Sequence, residues 1–205
     1  MSNDITCVIL AGGLARRMGN ADKAFVALNG QPLLSHVINR ITPQVSRVII
    51  NANGDPARFA SWNLPVIADT IADFPGPLAG VLAAMEWVRD HQPQSQWVVS
   101  IPVDTPFAPL DLVERLSQSI TDEAVDMACA KSNDRAHPVV GLWPVRLADK
   151  LRQAMVKDSI RKVDLWTAQY KLAQSEFDTN PIDPFFNINR PQDVEQAEKI
   201  LREVA

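Results

Sequence analysis

The chain has 205 residues, 46% of them hydrophobic and 21% charged, with a formal net charge of −4. That length suits one domain with a full apolar core. The acidic balance excludes a general binder of phosphate backbones, so any anionic ligand needs a local cluster of cations. In chain order, Ile5–Leu10, Arg47–Asn51, 65–68 and 97–101 are short runs rich in Val and Ile, which predicts buried strands. Between them, Leu34, Val37, Ile38 and Ile41 repeat at helical spacing, as do Leu78, Val81, Leu82, Met85 and Val88. The second half is less regular. Helices are predicted over 110–120, 146–156 and 159–170, strands over 125–130 and 138–143, and a closing helix over Pro191–Val204 with its proline at the first position.

Alternation of strand and helix predicts an α/β fold, a mostly parallel sheet covered on both faces in a single three-layer domain. No repeat, low-complexity tract or linker interrupts it. The polar opening residues and the short first apolar run do not read as a signal peptide, and no stretch approaches the roughly 20 apolar residues of a membrane-spanning helix. Cys7 and Cys129 both lie inside apolar stretches and are expected as buried, reduced thiols. A cytoplasmic protein with neither a nucleic-acid nor a membrane partner is the expectation.

Ligands of open α/β sheets sit at the carboxyl ends of the strands. Here the first strand runs into Leu10-Ala11-Gly12-Gly13, followed by Arg16, Arg17 and Lys23; the next strands end at Asn51 and Asp69, and the fourth reaches Asp104 in "SIPVDTP". One such Asn or Asp would read as a turn former; four polar strand ends on a single sheet edge, the basic loop included, read as a site. Small residues at 11–13 let backbone N–H groups approach an anion, and the basic side chains add positive charge, a combination suited to a triphosphate. The loop lacks the Gly-Lys-Ser/Thr ending of a P-loop, and Ala15 stands where a dinucleotide fingerprint would place another glycine. Asp104, followed by Thr105-Pro106, is expected as an exposed strand-end carboxylate able to hold Mg²⁺ against phosphate oxygens.

Taken together, "LAGGLARRMGNADKAF", "NAN" at 51–53, "ADTIADFPGPLAG" at 68–80, "PVDTPF" at 102–107 and "FNINRPQDV" at 186–194 resemble the molybdenum cofactor guanylyltransferases of MobA type, within the nucleotidyltransferase superfamily. The resemblance implies the Rossmann-like sandwich of nucleotide-diphospho-sugar transferases, with a nucleotide-binding half over about 1–107 and an acceptor-binding half over about 108–205. It implies transfer of GMP from GTP to the terminal phosphate of Mo-molybdopterin, with Mg²⁺ as cofactor and pyrophosphate as the leaving group. By motif position it implies Leu10, Ala11, Gly12, Gly13, Lys23, Asn51, Asp69 and Asp104 in the GTP site. Asp104 would hold the metal, and Arg17, Lys23 and Asp104 would stabilise the transfer. Asn187 and Asn189 would face the acceptor, and proteins that deliver or receive the cofactor would be further partners.

The chain departs from the family pattern at Leu14, in a position often polar, and at Arg190, where a Thr would cap the last helix; Asp193 could reach back in its place. His137, Arg161 and Lys162 have positional or solvated roles as their plain reading and substrate contact as the other. A relative using CTP or a sugar-phosphate acceptor, or a nucleotide-binding protein without turnover, stay open as alternatives.

Overall fold

The structure is a computed structural model, and it describes residues 4–12, 14–15, 21–72, 76–120 and 124–204. Seven strands form one sheet: β1 (Ile5–Leu10), β2 (Arg47–Asn51), β3 (Val66–Ile67), β4 (Trp97–Pro102), β5 (Met127–Ser132), β6 (Arg135–Pro144) and β7 (Leu172–Glu176). Their order is β7-β5-β6-β4-β1-β2-β3. β1 pairs in parallel with β2 and β4, β2 with β3, and β7 with β5, so only β6 runs against the rest.

Alternate side chains of each strand point to opposite faces, and each face has its own core. Cys7 and Ile9, Val48 and Ile50, and Val99 and Ile101 pack on one side with α1 (Leu33–Ile41) and α3 (Leu112–Gln118). Val8, Ile49 and Val98 pack on the other side with α2 (Pro77–His91), α4 (Ala148–Val156) and α5 (Val163–Thr167). The four buried residues of α1 are Leu33, Leu34, Val37 and Ile41; three of them belong to the spacing that marked the helix, and its fourth member, Ile38, is half-buried. Each such burial stabilises by roughly 1.5–3 kcal/mol relative to exposure. α2 is buried along most of its length, as a helix apolar on nearly every side must be. Both thiols are buried and unbridged; burial pushes Cys7 up, and pushes Cys129 up to about 11.

A third, smaller cluster joins Leu28 and Leu33 to Phe107, Ile188 and Ala197. It seats α6 (Pro191–Val204) beside the start of α1, and with it the loop that carries Asn187 and Asn189.

One expectation fails and one strand was not predicted. No helix covers 159–170: Asp158 and Ile160 both donate to the Ala154 carbonyl, Ser159 has φ 54°, and this exit turn from α4 leaves only Val163–Thr167 helical. Arg161 and Lys162 therefore precede α5 rather than begin it. β7 was not foreseen, because "LAQSE" has no Val/Ile run; it forms by extending the sheet edge in register with β5. No helix among the described residues is long and apolar enough to cross a membrane.

Candidate active site

The carboxyl ends of β1, β2, β3 and β4 lie on one edge of the sheet and are stitched together beyond their last ladder positions. The Ala11 amide donates to the Asn51 carbonyl at 2.9 Å, Ala52 to Ile67 at 2.9 Å, and Val103 to Leu10 at 3.1 Å. Over this edge opens a cavity of about 480 Å³ whose lining includes Leu10, Gly12, Lys23, Asn51, Asp69, Asp104 and Asn187. An added Cβ at Gly12 would meet nothing within 4 Å, because that space is the cavity. Ala11 is different: its side chain is in the core and its amide already has the Asn51 carbonyl, so the structure does not place it on the cavity wall. Gly13, Arg16 and Arg17 lie outside the described residues.

At one end of the cavity stand three amide or carboxylate side chains. Asn51 Nδ2 donates to Asp69 Oδ1 at 2.9 Å, and Asn53 Nδ2 donates to Asp69 Oδ2 at 2.8 Å. The Asp69 amide in turn donates to Asn53 Oδ1 at 2.9 Å. Asn53 was missed by sequence reasoning. The signal was present, since an Asn-x-Asn at a strand end projects two amides the same way. Beneath Asn51 lies Gly80 of α2, where a Cβ would stand 2.2 Å from Asn51 Oδ1 and 2.6 Å from Leu10 Cδ2. Next to Asp69, the Thr70 hydroxyl donates to Glu86 at 2.6 Å, and Arg152 grips both Glu86 oxygens at 2.6 and 2.7 Å. Burial alone would push the Glu86 carboxyl up, but hydrogen bonds from Arg152 and Thr70 hold it below the usual carboxylate range.

At the other end, Lys23 Nζ is 2.6 Å from Asp104 Oδ2 and 2.5 Å from Asn189 Oδ1. Lys23 opens a 3₁₀ turn capped by Asp22, whose Oδ1 accepts from the Ala24 amide at 3.2 Å. Asp22 is paired with Arg58 at 2.6 Å, which leaves Lys23 directed inward. Asp104 is only 9% exposed, so the expectation of an exposed strand-end carboxylate is wrong. The chain turns back over it: the Ile188 amide donates to the Asp104 carbonyl at 2.9 Å, and Thr105 Oγ1 donates to Asn187 Oδ1 at 3.3 Å. Asp104 Oδ1 is buried without a hydrogen-bond partner. Helix α3 starts later, at Leu112, and Asp104 does not cap it. Asp193 does reach back as its position suggested, accepting from the amides of Asn189 at 2.7 Å and Arg190 at 2.8 Å.

A second cavity of about 480 Å³ adjoins the first and shares Asn187 with it; its lining includes Ser132, Arg135, His137, Asp183, Phe186 and Asn189. The arrangement is thus two chambers with one lysine and one carboxylate near their shared wall. Such a site can hold an anion at that wall and align a second group against it. Among the described residues no cluster of three or more His, Cys, Asp or Glu forms a metal cage. A hard cation held by one carboxylate and by substrate phosphates is what the unpaired Asp104 oxygen fits.

The family model for a MobA-like NTP transferase domain matches residues 7–171. The chain belongs to the MobA-like NTP transferase family. It is accordingly a nucleotidyltransferase. Two relatives, each a molybdenum cofactor guanylyltransferase, are 53% and 51% identical to it; they come from Rhodopseudomonas palustris (strain BisB5) and Nitrobacter hamburgensis. Each alignment covers 94% of this chain and 92% of the relative. The crystal structure of molybdopterin-guanine dinucleotide biosynthesis protein A from Archaeoglobus fulgidus has a TM-score of 0.78, covering 97% of this chain and 99% of that one at 24% identity. At that identity the likeness concerns the fold, and it includes the mostly parallel sheet of the MobA-like family.

Proposed function

We propose that the protein transfers GMP from GTP to the terminal phosphate of Mo-molybdopterin, forming the guanine dinucleotide cofactor and pyrophosphate. The observation that carries this reading is the buried, unpartnered Asp104 Oδ1 beside Lys23, where the two chambers meet. The full-length likeness to molybdenum cofactor guanylyltransferases supplies the names of the two substrates.

In this reading the first chamber takes GTP. Asp69 accepts from the N–H donors on the guanine edge, with Asn51 and Asn53 holding its carboxylate in place. Leu10 and Gly12 form the surface against which the base and ribose lie. Asp104 Oδ1 would hold Mg²⁺ together with phosphate oxygens; when bound, the ion neutralises charge on those oxygens. Lys23 binds the same phosphates, and Arg17, assigned from its place in the motif alone, would add a second cation. Asn187 and Asn189 hold the acceptor's terminal phosphate from the second chamber.

An oxygen of that phosphate attacks the α-phosphorus, the bond to the β-phosphate oxygen breaks, and pyrophosphate leaves with the bonding pair. The attacking oxygen is already ionised at neutral pH, so no general base is required. Catalysis rests on alignment and on neutralising charge that accumulates on the phosphates. A cytoplasmic setting and protein partners for cofactor delivery belong to the same proposal.

The test is pyrophosphate release from each of the four nucleoside triphosphates with Mg²⁺ and Mo-molybdopterin. Release with GTP alone is expected. Preference for CTP would overturn the guanine assignment, and tight GTP binding without release would make the protein a carrier.

A further inference from the structure

The second chamber contains a hydrogen-bonded chain that the transfer chemistry does not use. His137 Nε2 lies 2.8 Å from Ser132 Oγ, and Ser132 Oγ donates to Asp183 Oδ1 at 2.9 Å. Ser132 is fully buried, at the end of β5, and His137 stands across the Asn133-Asp134 turn on β6. The β6 register slips between His137 and Gly141, a bulge of the kind that re-aims a side chain near a site.

The chain fixes a tautomer. A carboxylate can only accept, so the single Ser132 proton points to Asp183. The Ser132 oxygen must then accept, which places the neutral imidazole's proton on Nε2 and a lone pair on Nδ1. Nδ1 takes no hydrogen bond from the described residues, and His137 is part of the second chamber's lining. Burial lowers His137 below its ordinary value, and Arg135 adds to this against the pull of Asp183, so the ring is neutral at neutral pH. The imidazole is held against Phe185 at 4.8 Å, and Phe185 is fixed edge-on by Phe177 at 5.3 Å. A rigid acceptor atom beside Phe185 and Phe186 suits a planar heterocycle with ring N–H donors.

We propose that His137 is a specificity residue for the acceptor: its Nδ1 accepts a hydrogen bond from a ring N–H of the acceptor's heterocycle, and Ser132 and Asp183 are positioning residues that keep that lone pair outward. This rests on the acceptor assignment above. It gives the enzyme a means of rejecting phosphate acceptors without such a ring, a sugar phosphate among them, because a site built around a substrate N–H discriminates strongly against its absence.

With three histidines in the chain, ¹⁵N-histidine labelling resolves His137 directly. The expected spectrum of the full-length protein shows the Nε2–H tautomer, with the Nδ1 resonance shifting when a pterin carrying a side-chain monophosphate is titrated in. His137→Phe, which keeps a ring against Phe185, should raise the KM for Mo-molybdopterin at least about tenfold with the KM for GTP unchanged. Ser132→Ala should release the tautomer and raise the acceptor KM by a smaller factor. An Nδ1–H tautomer in the wild type would overturn the proposal, as would a folded His137→Phe enzyme with unchanged acceptor KM. If His137→Phe does not fold, His137→Gln and the wild-type titration decide. A pterin-induced shift in a protein that releases no pyrophosphate would uphold the chamber's role and sink the transferase reading instead.

Discussion

Lys23 reaches past its sequence neighbour Asp22 to touch Asp104 and Asn189, and Asp22 turns away to Arg58. An exposed Lys23–Asp22 pair would have contributed less than about 1 kcal/mol. A charge-assisted hydrogen bond to phosphate contributes roughly 1.5–3 kcal/mol, and each 1.36 kcal/mol of transition-state stabilisation is about tenfold in rate. Lys23→Ala is therefore expected to slow turnover by at least about tenfold in steady-state kinetics, with folding checked by circular dichroism. A loss confined to melting temperature would return Lys23 to a structural role. Asp104 has one oxygen on Lys23 and one left without a partner in the interior, a state that lowers stability and persists where function needs it. Asp104→Asn should fold and lose Mg²⁺-supported turnover by more than about a hundredfold. The further rise in melting temperature that Mg²⁺ adds to that of GTP alone should be seen in the wild type and not in this variant; equal Mg²⁺-dependent shifts would take the metal away from Asp104.

At the scale of elements, α2 and α4 brace the Asn51–Asp69 end of the cavity through Gly80 and Arg152. An exposed helical Gly→Ala change normally stabilises by about 1 kcal/mol. At Gly80 the new Cβ would collide with Asn51 Oδ1 and Leu10 Cδ2, so Gly80→Ala is expected to raise the KM for GTP while leaving the acceptor KM nearly unchanged. Combined with Asn51→Ala, its effect should be less than additive; full additivity would separate Gly80 from Asn51. The Glu86–Arg152–Thr70 brace gives a pH-dependent prediction. Glu86 is held below its unfolded value, so its contribution is present above about pH 4.3 and is lost as pH falls through the folded value. Arg152→Met leaves burial as the main influence, raising the Glu86 carboxyl instead. The variant should then be less stable by roughly 1–3 kcal/mol at pH 7, and the gap should shrink toward pH 4. Urea unfolding at the two pH values checks this, and a gap independent of pH would rule out Glu86 as its source.

At the scale of the whole molecule, the seven-stranded sheet runs through both halves expected from the sequence. β6, from the second half, inserts between β4 of the first and β5, with Gly141 opposite Ser100 and Cys129. A fragment of residues 1–107 would expose the edge of β4 and apolar side chains on both faces, and is expected not to fold alone. Co-expression with 108–205 should restore a soluble complex; a well-dispersed NMR spectrum from 1–107 by itself would make that half an autonomous domain.

Most of the strand and helix pattern was legible because it depends on local periodicity: Cys7 and Ile9 against Val8, or Leu34, Val37 and Ile41 along α1, declare their faces within a few residues. The polar strand ends were legible for the same reason, since parallel strands bring Leu10, Asn51 and Asp104 to one edge once their direction is known. The sequence by itself therefore determined the fold class and brought the polar strand ends that line the candidate site to one edge. It could not determine partners, because these join residues remote in the chain. Lys23 meets Asp104 across 81 positions and Asn189 across 166. The orphan oxygen of Asp104, the Gly80 seat of Asn51 and the His137 tautomer exist only after packing has excluded water and fixed which donor faces which acceptor. Tertiary structure decided them because each depends on burial and on distances of a few ångströms, and neither is encoded in spacing along the chain.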